Sequence, residues 1–337
     1  MLGHEFMGVV EEVGPDVATL TPGDRVVVPF NIACGRCWMC QRGLFAQCET
    51  TQNTEQGKGA SLFGYTSLYG AVPGGQAQYV RVPHADFGPI ELPPDGPDER
   101  FLYLSDILPT AWQAVEYADV NASDTLAVLG LGPVGQFAVR SALHRGVGRV
   151  IGVDLVPDRL DLARRTGAEV VDAADTDVAQ ALKDLTDGRG PDAVIDAVGM
   201  ESHGNPLSEK AIEATSHMPK PLARGAIERF GIDRLSALHT AIAAVRRGGT
   251  LSISGVYGGM ADPMPMMELF DKGLTVRMGQ CHVRRWSDEL LDIVRGGEDV
   301  LGVESFATHH APLEEAPDLY KLFQEKQDGC LKVVLSP

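Results

Sequence analysis

The sequence predicts an α/β protein in which a β-rich domain is joined to a doubly wound parallel-sheet domain. Three observations predict it. Short Val-rich runs separated by turn signals fill the first part of the chain. From D-I-L-P-T-A-W-Q-A-V onward, strand-like and helix-like runs alternate. A glycine turn, G-L-G-P-V-G, joins the first of those strands to the first of those helices. Alternation of this kind implies parallel strands linked by helical crossovers. The chain has 337 residues, of which 44% are hydrophobic and 22% charged. That length suits about two domains and allows a sizeable core.

In the β-rich part, residues 1–107, the runs F-M-G-V-V-E-E-V (6–13), D-R-V-V-V-P-F (24–30) and A-Q-Y-V-R-V (77–82) read as strands. T-P-G-D and V-P-G-G-Q read as the turns that separate such strands. In the α/β part, residues 108–279, T-L-A-V-L-G (125–130) reads as a buried strand and 133–145 as a helix. R-V-I-G-V-D (149–154) is the next strand and 157–166 the next helix. A-V-I-D-A-V (193–198), a helix at 237–247 and T-L-S-I-S-G-V (250–256) continue the rhythm. Residues 199–235 interrupt it as an insertion with a weak helical pattern. The tail, 280–337, carries a helix or two and a final strand, L-K-V-V-L.

The formal net charge is −17, which opposes binding to nucleic acid or to an anionic membrane surface. No apolar run approaches the roughly 18 residues a membrane helix needs. Residues 1–30 show no basic region followed by an apolar run, as a secretory signal would. Four of the six cysteines fall within fifteen residues, while Cys281 and Cys330 stand alone. That distribution fits a reduced, cytoplasmic chain with a metal knot better than a disulfide framework.

Cys34, Cys37, Cys40 and Cys48 form C-x2-C-x2-C-x7-C. Four thiolates close a tetrahedral shell around zinc and leave no open position, so the spacing predicts a structural zinc that staples a loop. Chance clustering and an iron–sulfur site are the alternatives, and the run lacks the Cys-Pro ending of bacterial ferredoxins. In the glycine turn, Gly130 permits the tight bend, Gly132 lets the backbone approach a pyrophosphate, and Gly135 allows close packing of helix on sheet. Pro133 and Val134 open the helix whose N-terminus faces the phosphates. Asp154 ends the next strand and would accept hydrogen bonds from the adenosine ribose, which favours NAD over NADP. Arg159, a turn further on, would lie over the adenine or approach a phosphate. The alternative is a glycine turn that binds nothing.

His4 is a good zinc ligand at neutral pH, and a lone histidine reads equally as structural. Glu5, if the backbone there is extended, points the opposite way, toward an indirect or transient role. Asp106 lies where the two kinds of texture meet and reads equally as a ligand or as a cap for the following helix.

G-H-E-F-M-G-V-V-E-E-V-G, G-D-R-V, the four-cysteine loop, D-I-L-P-T and G-L-G-P-V-G occur in that order. Together they resemble the zinc-dependent medium-chain alcohol dehydrogenases, over essentially the whole chain. D-I-L-P-T and the long insertion after D-A-V-G are similar to the branch around glutathione-independent formaldehyde dehydrogenase. The resemblance implies a GroES-like catalytic domain joined to a Rossmann domain, with the last segment returning to the catalytic domain. It implies two zinc ions, one structural on the four cysteines and one catalytic with His4 and Asp106 as ligands and Glu5 as the acid beside it. It also implies NAD, with Arg159, His203 in the insertion and Lys332 as further cofactor contacts.

Relatives carry a stretch before G-H-E that holds a first catalytic-zinc ligand, a cysteine, and a hydroxyl residue. This sequence begins without it, so the catalytic domain is expected to be N-terminally incomplete, with a ligand set reduced to His4 and Asp106. The implied reaction interconverts an alcohol with an aldehyde or ketone. Zinc lowers the alcohol's pKa and hydride passes to the nicotinamide. The alternatives are an aldehyde dismutase with tightly held NAD, or a catalytically impaired NAD- and zinc-binding fragment. Family analogy implies a homodimer or homotetramer.

Overall fold

A computed structural model describes residues 2–199, 235–257 and 263–337. The chain divides into two compact units, residues 1–113 with 280–337, and residues 114–279.

In the first unit, β1 (Phe6–Val9), β2 (Arg25–Val28) and β3 (Ile90–Glu91) form an antiparallel sheet in that order. Phe6 pairs with Val28 and Val9 with Arg25. β2 is central, and its three valines are all buried, as expected of a strand covered on both faces. Val26 and Val28 join Leu20, Ile32 and Phe63 in a core on which Phe6 and Val10 pack. The expected strand at 77–82 does not form. Alternation needs a partner edge to become a strand, and among the described residues none pairs with it: Tyr79 is 74% exposed. The backbone just before it turns back instead, with the Gly75 and Gln76 N–H groups donating to the carbonyls of Gly3 and Leu2. β1 also stops short of its expected end. Val10 leaves the ladder to exchange hydrogen bonds with the Gly23–Asp24 turn.

α1 (Asp98–Leu102) leads through a 3-10 turn at Tyr103–Ser105 to α2 (Ile107–Ala118). The buried residues Ile107, Leu108, Ala111, Trp112, Ala114, Val115 and Ala118 recur at helical spacing and give α2 one continuous apolar face. The division between the units falls inside this helix, after Gln113.

The second unit holds β4 (Thr125–Leu129), α3 (Pro133–His144), β5 (Arg149–Asp154), α4 (Pro157–Arg165), β6 (Glu169–Asp172) and α5 (Val178–Asp184). β7 (Ala193–Asp196), α6 (Ser236–Ala244), β8 (Thr250–Ile253), α7 (Met266–Lys272) and β9 (Thr275–Met278) follow. The strands form one parallel sheet in the order β6-β5-β4-β7-β8-β9. Strand order reverses between β4 and β7, which makes their carboxyl ends the switch point where doubly wound folds bind ligands. Ala127, Leu129, Ile151, Val153, Val194, Leu251 and Ile253 fill the sheet side of the core, and Leu182, Leu238 and Ile242 cover it from the helices. The expected helical insertion lies almost wholly outside the described residues, as does His203.

The chain returns to the first unit with α8 (Val283–Arg295), β10 (His309–Pro312), α9 (Ala316–Gln324) and β11 (Val333–Ser336). β10 and β11 pair in parallel, which requires the crossover that α9 supplies.

Candidate metal centres and nucleotide loop

His4 lies just before β1, on the short segment that Gly75 and Gln76 hold by the carbonyls of Leu2 and Gly3. Asp106 lies just before α2. The Phe30 N–H donates to the Ser105 carbonyl at 3.0 Å, which ties the exit of β2 to the residue preceding Asp106. These local bonds bring together side chains 102 positions apart, and His4 Nε2 stands 3.0 Å from Asp106 Oδ2. Thr110, one turn into α2, donates its hydroxyl to Asp106 Oδ1 at 2.7 Å. Oδ1 is thereby held and Oδ2 is aimed at the imidazole.

Glu5 lies beside this pair. His4, Glu5 and Asp106 each offer a donor atom within 4.8 Å of the other two. β1 begins only at Phe6, so the alternation of an extended strand does not apply at residues 4 and 5. Lys332 has a partner in the same unit: it donates to Glu5 Oε2 at 2.6 Å, across 327 positions of sequence.

The cluster is electrostatically coupled. Burial alone lowers the His4 pKa, but the hydrogen bond and charge of Asp106, with Glu5 behind them, carry it above its ordinary value. Burial raises Asp106, and His4, Thr110 and Lys332 outweigh that and bring it down. Buried Cys281, beside Asp106 and Thr110, is pushed well up by burial and by the Asp106 charge, so its sulfur stays a neutral thiol. Zinc takes nitrogen and oxygen donors at about 2.0–2.2 Å, which places neighbouring donors about 3.3–3.6 Å apart. One imidazole and two carboxylates gathered to within 4.8 Å have the donor chemistry that fits a divalent cation.

The four cysteine sulfurs also lie within 4.8 Å of one another. Cys37 and Cys48 Sγ are 3.9 Å apart, close to the roughly 3.8 Å that two thiolates on one tetrahedral zinc would show. Gly35 makes the loop possible: its φ is +73°, and a Cβ there would lie 2.5 Å from the Phe87 ring. The N–H groups of Cys34, Cys37 and Glu49 point at Cys48, Cys34 and Cys37 sulfurs, each at 3.4 Å. Burial raises the Cys34 pKa, but the Thr50 hydroxyl and the Arg36 and Cys37 amides hold it down at about 6. Cys37 is also lowered, against burial, by the amides of Cys40 and Glu49. Burial and the neighbouring sulfurs push Cys40 up. Sulfurs so close cannot all be anionic without a shared cation, and the donor chemistry fits zinc.

In the second unit, Gly130 follows β4 with φ +85°. Gly135 is required at short range: a Cβ there would stand 1.8 Å from the Gly130 carbonyl oxygen. Its constraint is thus the loop's own backbone rather than helix-on-sheet packing. A Cβ on Gly132 would meet only Arg159 Nη1, at 3.8 Å, so the face of the loop at Gly132 is open. Pro133 and Val134 form the first turn of α3. Asp154 is more committed than the sequence suggests. Its Oδ2 accepts from the Leu131 N–H at 2.6 Å, and its Oδ1 accepts from Leu155 and Val156 at 2.7 and 2.9 Å. Arg159 Nη1 lies 3.9 Å from Asp154, beside the open face. The open glycine face, the helix N-terminus and this acid form a cradle that fits a dinucleotide. Sequence reasoning did not single out Thr110. Its signal was present in D-x-x-x-T, a spacing that returns a hydroxyl to the acid one helical turn earlier.

The sheet order, the glycine cradle and the two donor sets define the class as a zinc-binding dehydrogenase. Comparison with known proteins carries this further. A family profile described as the alcohol dehydrogenase GroES-like domain matches residues 1–93. One described as zinc-binding dehydrogenase matches residues 133–217. An uncharacterised zinc-type alcohol dehydrogenase-like protein of Bacillus subtilis is 40% identical over 100% of this chain and 85% of its own length. A glutathione-independent formaldehyde dehydrogenase of Pseudomonas aeruginosa is 34% identical over 93% of this chain and 78% of its own. The solved structure of an alcohol dehydrogenase from Thermus is 33% identical, with a TM-score of 0.79 over 99% of this chain and 83% of that one. The chain belongs to the zinc-type alcohol dehydrogenases, a family of alcohol oxidoreductases. Among the described residues no helix is long and apolar enough to cross a membrane.

Proposed function

We propose that the chain is a zinc- and NAD-dependent oxidoreductase that interconverts a small alcohol with its aldehyde or ketone. The observation that carries this reading is the convergence of His4, Glu5 and Asp106 to within 4.8 Å. When bound, zinc supplies a Lewis acid that lowers the alcohol's pKa, and NAD supplies the hydride acceptor. His4 Nε2 and Asp106 Oδ2 hold the metal, and Thr110 fixes the carboxylate that does so. Glu5 stands next to them as a second carboxylate, balanced by Lys332. The four cysteines hold a second, structural zinc that keeps their loop in shape.

Gly130, Gly132 and Gly135 cradle the cofactor's phosphates at the N-terminus of α3, with Arg159 beside them. Asp154 supports NAD over NADP, because a 2′-phosphate would meet its carboxylate. Four cysteines gathered in one metal-binding loop, rather than spread as a disulfide framework, support a cytoplasmic setting. The net charge of −17 supports small-molecule chemistry rather than a nucleic-acid partner. Self-association as a homodimer or homotetramer completes the reading.

Metal analysis and turnover test it together. Purified protein is expected to hold two zinc ions per chain and to reduce NAD with a simple alcohol, and Asp106→Asn to hold one and be inactive. The Pseudomonas relative makes formaldehyde the first aldehyde to assay. One zinc per chain in the wild type, with no turnover of alcohols or aldehydes, would refute the proposal.

A further inference from the structure

Asp196 ends β7, on the far side of the switch point from Asp154, and is 1% exposed. Nothing above gives it a role, yet every part of it is engaged. Its Oδ1 accepts from the N–H groups of Val198 and Gly199 at 3.0 and 3.2 Å. Its Oδ2 accepts from the Tyr257 hydroxyl at 2.5 Å. Its main-chain carbonyl accepts from Ser254 and Gly255, at 3.0 and 2.9 Å. One residue thus fastens the loop that leaves β7 to the loop that leaves β8. The loops touch at glycines: a Cβ on Gly255 would lie 2.3 Å from Gly199 N, and one on Gly199 would lie 2.5 Å from Val256 N.

The fastened loops also abut the glycine turn. A Cβ on Gly130 would stand 2.7 Å from Val198 Cγ2 and 3.2 Å from the Ala197 carbonyl carbon. A dinucleotide laid across the carboxyl ends of the strands, adenosine toward Asp154 on β5, sends its other half over β7 and β8. Half-buried Val198 and Val256, 71% exposed, then offer that half an apolar wall.

We propose that Asp196 and Tyr257 form a clasp that sets the wall of the nicotinamide half-site, so that both are cofactor-positioning residues. The inference rests on the NAD reading above. Asp196 fixes the first loop through two backbone amides, and Tyr257 fixes the second loop to the first. Without the hydroxyl, the β8 loop loses its side-chain tie from Tyr257 to Asp196, while the adenosine end, built on β4, β5 and α3, keeps every bond described for it.

Calorimetric titration of the full chain with NADH and with ADP-ribose, which lacks only the nicotinamide, separates the two ends. Tyr257→Phe is expected to weaken NADH binding about tenfold, the equivalent of one lost hydrogen bond to a charged group, while ADP-ribose changes less than about twofold. Asp196→Asn keeps an acceptor for the amides but replaces the charged acceptor of the Tyr257 hydroxyl with an NH2 group that can only donate to it, and should give a split in the same direction and smaller. NADH binding unchanged in Tyr257→Phe, or parallel weakening of both ligands, overturns the clasp. So does loss of fold in both variants, which assigns the pair to stability alone. Wild-type protein that binds neither ligand overturns the nucleotide reading itself, and the clasp with it.

Discussion

At the scale of single residues, Asp106 divides its work between its two oxygens, Oδ1 on Thr110 and Oδ2 toward His4. A carboxylate whose free rotation is removed in this way presents its lone pair to a metal without paying the entropy of ordering. Thr110→Val keeps the shape of the side chain and deletes the hydroxyl. Zinc affinity at this site is expected to fall about tenfold, and Thr110→Ser to restore most of it. Competition with a chelator, read as zinc retained per chain, measures both. Lys332 makes a second prediction. Its ion pair with Glu5 is mostly shielded, with side-chain exposures of 14% and 20%. Lys332→Met leaves Glu5 close to the like charge of Asp106, and removing one partner of such a pair costs about 2 kcal/mol or more. A bound divalent cation supplies the missing positive charge. Urea denaturation should therefore show the variant destabilised when zinc-free and largely rescued when zinc is present.

At the scale of elements, two glycines of one turn are expected to behave oppositely. Gly135→Ala gains about 1 kcal/mol of helix propensity but drives a methyl into the Gly130 carbonyl at 1.8 Å, and the clash wins. Its melting temperature should drop, with a net cost of at least about 2 kcal/mol. Gly132→Ala meets only the far end of Arg159 and should melt as the wild type does, while NADH binding weakens because the methyl fills the phosphate face. Thermal denaturation and NADH titration on the two variants check the contrast.

This turn, with the strands and helix around it, was legible in the sequence because its constraints are local: φ above zero, a strand before it, a helix after it. The cysteine spacing was legible for the same reason. What escaped was side-chain geometry between distant segments. The direction of the Glu5 side chain depends on a backbone that becomes a strand only at Phe6, and the partner of Lys332 lies 327 positions away. Residues 77–82 alternate like a strand, but the partner edge that would make them one is not written in their own sequence.

At the scale of the whole chain, an imidazole helps fasten the return segment to the cysteine loop. His282, immediately before α8, is 5% exposed and accepts the Ala46 N–H on Nδ1 at 3.1 Å, across 236 positions of sequence. Gln113 Oε1 accepts from the His282 N–H and from Trp286 Nε1, which locks the same corner. Burial, and after it the Arg285 charge, lowers the His282 pKa to about 4. The positive end of α8 also disfavours a cation there. The unfolded chain takes up this proton near 6.5 while the fold resists it until about 4, so the stabilisation is complete above 6.5 and is lost as pH falls toward 4. The shift corresponds to about 3 kcal/mol. His282→Gln retains an oxygen that can accept from Ala46 but has no proton to gain. Urea denaturation at pH 7, 5.5 and 4.5 should show the wild type losing stability faster than this variant, by a difference that widens through this window. Acid lability of the cysteine loop is common to both proteins and cancels in that difference. Parallel pH profiles for the two would show that His282 does not carry the acid sensitivity of this corner.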